Sequence, residues 1–219
     1  MRTLIAASLL LAAAPLAAQD PDRAVAGGGS VPDGWHVTLD RANANAADVR
    51  FVRMGDGYHV TMGPAAVLWN PANAATGEYR ARATFAQTRA PTHPEAYGLV
   101  LAGKNLDGTP PNGPDYIYFL VRGDGKYMVR HRAGSGDLHD IVQWTEHPAI
   151  ARQDEQGRAT NALAAEAGAS GLRLMVNGQQ VAEFLKADVP YLNTDGIAAL
   201  RVNHNLDVHV SGFAVEKKQ

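Results

Sequence analysis

The chain has no cysteine among its 219 residues. That absence excludes disulfides, zinc–thiolate sites, thiol catalysis and a lipidated cysteine anchor. Neither sign of charge dominates: 20 Lys and Arg stand against 22 Asp and Glu, a net charge of −2. A chain so balanced creates no global field that would draw it to nucleic acid or to an anionic membrane. Also missing are a P-loop or dinucleotide-binding glycine pattern and a G-x-S-x-G nucleophile elbow. Ser135 lies in AGSGD, a turn sequence. With 46% hydrophobic residues, the length supports one sizeable core or at most two small ones.

What is present starts with a leader. Arg2 precedes an apolar run from Leu4 to Ala14, followed by small residues at Ala17 and Ala18. This order is that of a secretory signal peptide over residues 1–18, cleaved after Ala18. The run falls short of the roughly 20 apolar residues a bilayer span requires. The expected product is exported, free in the periplasm or the medium, with no membrane span. Losing Arg2 with the leader takes its net charge from −2 to −3. Residues 19–34, with three consecutive glycines between Pro21 and Pro32, read as a flexible linker ending near Trp35.

From Trp35 onward, short stretches alternate apolar with polar and break at turn signals about every ten residues. In GEYRARATFAQ, Tyr79, Ala81, Ala83 and Phe85 point one way and Glu78, Arg80, Arg82 and Thr84 the other. Hairpin turns are expected at Gly55-Asp56-Gly57, Gly123-Asp124-Gly125 and Asn177-Gly178. Further strands are expected at 36–40, 66–69, 97–102, 138–144, 196–203 and 207–215. ATNALAAEAGA favours helix by propensity, yet it is short, lacks a wide apolar face and sits between strands, so it reads as a strand. The proline-bearing segment 105–115 is long enough to be a functional loop. The fold class is therefore all-β, a single antiparallel β-sandwich over residues 35–216.

The hairpin 115–132 separates two faces. With a three-residue turn, Arg122 faces Lys126, and Ile117, Phe119 and Val121 share a face with Tyr127, Val129 and His131. Tyr116, Tyr118 and Leu120 share the other with Met128, Arg130 and Arg132. Burying two unpartnered arginines is costly, so the second face is expected to meet water and to face a groove. Tyr116, Tyr118, Arg130 and Arg132, with Trp144 and Trp69, are the candidate ligand-binding residues. Aromatic rings stack on the apolar faces of sugars while Arg and Asn bond hydroxyls. Tyr118→Ala is expected to weaken such binding and spare the fold.

Catalytic groups are harder to find. Glycoside cleavage usually needs two facing carboxylates, and the E-x-D-x-x-E string of sandwich glucanases is absent. Asp137 and Asp140 in GDLHD have opposite parity on a strand, and His131, His139 and His147 lack the i, i+2 spacing that aims two strand ligands one way. His131, His139, Asp137 and Asp140 are the candidates for catalysis. No metal site and no cofactor is expected.

YGLVLAGKN, DYIYFLVRGDGKYMVRHR, WTEHPAI, LRLMVNGQQVAEF and GIAALRVNHNLDVHVSGFAV, in that order, resemble secreted bacterial domains of concanavalin A-like (laminin-G-like) β-sandwich type. Such domains include a 3-keto-disaccharide hydrolase-like group and others of unknown function. The resemblance covers about residues 35–215. It implies two curved jelly-roll sheets and a carbohydrate or glycoside ligand on the concave one, and it carries over no catalytic set. Two functions follow as expectations: a carbohydrate-binding protein without chemistry, or a hydrolase or lyase acting on glycosides or keto-disaccharides.

Overall fold

A computed structural model describes residues 24, 25 and 29–218. The leader and residues 19–23 and 26–28 of the linker lie outside the described residues. In chain order the strands are β1 (His36–Leu39), β2 (Val49–Met54), β3 (Gly57–Met62), β4 (Ala66–Trp69) and β5 (Ala74–Ala75). Then come β6 (Tyr79–Gln87), β7 (Ala96–Lys104), β8 (Asp115–Arg122), β9 (Lys126–Arg132) and β10 (Leu138–Glu146). The last are β11 (Ala159–Ala167), β12 (Gly171–Val176), β13 (Gln179–Leu185), β14 (Gly196–Val202) and β15 (Asp207–Lys217). One sheet runs β1-β4-β14-β7-β8-β9-β10, with β5 also on β14; the other runs β13-β12-β11-β6-β15-β3-β2. Every pairing is antiparallel, giving the β-sandwich that the alternation predicts.

Alternation builds the core between the sheets. On β6, Tyr79, Ala81, Ala83 and Phe85 are buried while Arg80 and Arg82 are exposed. The alanine-rich segment is a strand because β6 and β12 flank it: Leu163 pairs with Ala83 on one side and Val176 on the other. Two flanking strands and a buried face override a helix preference of tenths of a kcal/mol per residue. Trp35 closes one end of the sandwich, its ring 5.3, 5.1 and 5.6 Å from those of Phe51, Tyr58 and Phe213.

The turns need one correction. Met54 pairs with Gly57, so the first hairpin closes through Gly55-Asp56 alone and Gly57 belongs to β3. A Cβ on Gly57 would lie 2.2 Å from the Val210 carbonyl oxygen, so its glycine serves close strand approach rather than the turn. The other two turns form as expected, with Asn177 and Gly178 at φ of 50° and 80°.

A second apolar cluster lies on the first sheet's outer face. Val67, Val100, Leu106, Tyr116, Tyr118, Leu120 and Met128 are buried there together, while Ile117, Phe119, Val121 and Val129 belong to the core between the sheets. Leu106 comes from the loop joining β7 to β8, so the segment flagged as a functional loop folds over this face.

Candidate functional site

The hairpin register matches the parity argument: Tyr116 pairs with Arg132, Tyr118 with Arg130, Leu120 with Met128 and Arg122 with Lys126. Extending these rows across the sheet adds residues from distant strands. Tyr118 continues to Val100 on β7 and, through Arg130, to Asp140 on β10. Leu120 continues to Gly98 and then to Arg201 on β14. Position 98 carries no side chain between them.

Arg201 is the centre of this face. One guanidinium nitrogen donates to Asp40 Oδ1 at 2.8 Å and to the Tyr116 hydroxyl at 3.1 Å, and the other donates to Asp40 Oδ2. Its Cζ sits 4.9 Å from the centre of the Tyr118 ring. Burial pushes the Arg201 pKa down, and the Asp40 carboxylate more than reverses this and raises it. Burial likewise pushes the Asp40 carboxyl up, and Arg201 outweighs it, leaving Asp40 below the ordinary carboxylate value. Burial pushes the Tyr116 hydroxyl up, keeping it protonated and able to donate in turn.

Beside this pair opens a pocket of about 500 Å³, lined by Trp69, His36, Tyr116, Arg132, Asp40, Arg41 and Asp107 among others. β1 and β4 position its aromatic wall. His36 pairs with Trp69 across the strands and stacks on it at 4.5 Å. The indole N–H donates to Thr38 Oγ1 at 2.9 Å, and Thr38 donates to the Leu106 carbonyl, fixing the ring against the covering loop. Asp107 accepts from the Thr109 hydroxyl at 2.8 Å, which with the Thr109 N–H holds its carboxyl below the ordinary value. On the other side of Asp40 and Arg41 lies a second depression of about 300 Å³, reaching Arg201, Glu95 and His204.

Of the six residues expected to bind ligand, Trp69, Tyr116 and Arg132 meet at the first pocket. Tyr118 and Arg130 occupy the adjacent row, but Tyr118 is only 5% exposed. It is not an open stacking platform, and its removal would hollow the second cluster rather than spare the fold. Arg130 is tied to Asp140. Trp144 sits apart from the pocket, under the Arg122 guanidinium at 4.3 Å. The parity argument placed the arginines correctly and missed that the loop and Arg201 bury the tyrosines from above.

The four catalytic candidates do not converge. His131 and His139 are cross-strand partners whose Nδ1 atoms lie 3.1 Å apart, on the face of β9 and β10 that carries Val129. His131 Nε2 is 3.2 Å from Asp115 Oδ1, and Tyr191 lies against both imidazoles at 5.2 and 4.9 Å. Asp140 is on the opposite face with Arg130, and Asp137 is exposed at a turn, accepting from Ser135 Oγ at 2.8 Å. Among the described residues no group of three or more His, Asp and Glu could hold a metal ion.

The sequence reading missed Asp40, Arg201, His36, Thr38, Arg41 and Asp107. A signal existed for Arg201, an arginine inside the apolar run GIAALRV. Asp40 carried none, because it follows β1 and stands 161 positions from its partner.

No protein-family profile matches the sequence, and no curated protein matches it. Solved structures do. The carbohydrate binding module CBM66 from Bacillus subtilis superposes with a TM-score of 0.58 at 7% identity, over 84% of this chain and 96% of that one. A protein of unknown function with a galectin-like fold, also from Bacillus subtilis, gives 0.58 at 12% identity, over 84% and 89%. A glycoside hydrolase family 16 endo-glucanase from Bacteroides ovatus gives 0.51 at 11% identity, over 81% of each chain. The class is thereby set: an antiparallel two-sheet jelly roll. More particularly, the chain has the concanavalin A-like, galectin-like β-sandwich fold.

Proposed function

We propose that this chain is an exported glycan-binding β-sandwich protein whose ligand lies in the Trp69 pocket on the outer face of the first sheet. The observation that carries the reading is the pocket's composition: an indole and its stacked imidazole sit beside Arg132, Arg41 and Asp107, above the buried Tyr116. A sugar ring has an apolar face and a rim of hydroxyls, and this mixture matches both. A carbohydrate binding module and a glycoside hydrolase share the fold, which supports a glycan by analogy alone.

The alternative is a glycoside hydrolase or lyase acting on ordinary or keto-disaccharides. It requires a titrating group in the pocket. Arg201 holds Asp40 ionised, and His131 and His139 face the other way, so the binding reading is better supported. Asp107 is the carboxylate left for chemistry.

A glycan array, paired with an activity screen on ordinary and keto-disaccharides, tests both. Binding by the wild type that Trp69→Ala abolishes, without turnover, is the expected result. Turnover that Asp107→Asn removes would establish the enzyme instead, and no retained glycan would overturn the reading.

A further inference from the structure

Four arginines project from strands of the first sheet onto its outer face: Arg122, Arg130, Arg132 and Arg201. Three have an aspartate of their own. Arg122 pairs with Asp124 at 2.7 Å, Arg130 with Asp140, and Arg201 with Asp40 in two-point contact. Arg132 has no hydrogen bond or ion pair among the described residues; it meets Asp40 only through space. It is also the one of the four that lines the Trp69 pocket.

The pocket's carboxylates do not answer it. Asp40 is engaged by Arg201 and Asp107 by the N–H and hydroxyl of Thr109. A guanidinium presents parallel N–H groups that match a planar carboxylate at two points, a contact roughly twice as strong as a neutral hydrogen bond. On this face, Arg122 and Arg201 already make that two-point match within the protein, and Arg130 donates to Asp140 Oδ1 through Nε.

We infer that the carboxylate missing beside Arg132 is supplied by the ligand, making the glycan an acidic one built from uronic acid units. This rests on the glycan reading of the Trp69 pocket and adds the ligand's charge to it. Trp69 would take a sugar face while Arg132 takes the C6 carboxylate, so the two residues contribute separable parts of recognition. A sulfated sugar presents tetrahedral oxyanions that a guanidinium also meets at two points, so a sulfated arm of the experiment separates the two anions.

The test is calorimetric titration with oligogalacturonate, oligoglucuronate and oligomannuronate tetrasaccharides, each beside its carboxyl-reduced form, and with a sulfated galactan tetrasaccharide. At least one uronate should bind the wild type about tenfold or more tighter than its reduced form. Arg132→Ala should bring that pair to within about twofold, and Arg132→Lys should keep part of the preference. Arg132 makes no hydrogen bond or ion pair among the described residues and sits at a strand end, so thermal unfolding of Arg132→Ala should stay close to the wild type. Equal affinity for reduced and native forms, an undiminished preference in Arg132→Ala, or tighter binding of the sulfated sugar would overturn the inference and leave the glycan reading standing. Failure of every sugar to bind, neutral ones included, would overturn that reading itself.

Discussion

Asp40 and Arg201 stand 161 positions apart and meet in a two-point ion pair on the outer face of the first sheet. The arginine side chain is 8% exposed and the aspartate 25%. A charge so enclosed depends on its partner, because losing one member leaves the other desolvated and unpaired. Asp40→Asn should therefore destabilise the fold by about 3 kcal/mol or more, read by urea denaturation. Little change would mean that water reaches Arg201.

The same pair sets an acid limit. Folding holds the Asp40 carboxyl below 3.8, its ordinary value, because Arg201 outweighs the effect of burial. A depressed carboxylate contributes stability that is complete above the unfolded-state value and is lost as pH falls through the folded-state value. Stability of the wild type should thus decline as pH falls below about 4, and Asp40→Asn should decline less over the same acid range. Parallel declines would remove Asp40 as a source of acid sensitivity.

Tyr118 is the residue whose role changed most between sequence and structure. Its ring lies under the Arg201 guanidinium and among Val100, Leu120 and Met128 in the second cluster. Tyr118→Ala should cost about 3 kcal/mol of stability, while Tyr118→Phe should keep most of it by preserving the ring. An alanine variant as stable as wild type would return Tyr118 to the role of an open platform.

Period-2 alternation made the sandwich legible, since a strand with one dry face cannot hide which face that is. The register of β8 on β9 followed from the same rule. It failed above the sheet, where burial is decided by what covers a face: Leu106 arrives from a loop, and Arg201 from a strand far along the chain. Two of the four arginines were read as marking the wet side, yet the most deeply buried arginine of that face is the one that was overlooked. Spacing along the chain carries no trace of the Asp40–Arg201 contact or of the cross-strand His131–His139 pair.

Asn161, on β11 of the second sheet, supports the core between the sheets. It is fully buried, accepts from the Ala151 N–H at 2.8 Å and from Asn177 Nδ2 at 2.9 Å, and donates to the Tyr97 hydroxyl at 3.1 Å. Burial pushes the Tyr97 hydroxyl up to about 12 despite that bond, so it stays protonated. Asn161→Ala leaves several of these groups unsatisfied and should destabilise by about 2–4 kcal/mol, with Tm falling accordingly. An unchanged Tm would show that water replaces the side chain.

The chain's three tryptophans report on three separate places: Trp69 in the pocket, Trp144 under Arg122, and Trp35 at the end of the sandwich. Their indole N–H resonances in a ¹⁵N-labelled protein, followed while an oligosaccharide is titrated in, test the central claim most directly. The account predicts a saturable shift of the Trp69 resonance with Trp35 and Trp144 unmoved. A shift at Trp144 or Trp35 with Trp69 still would place the ligand elsewhere and contradict it.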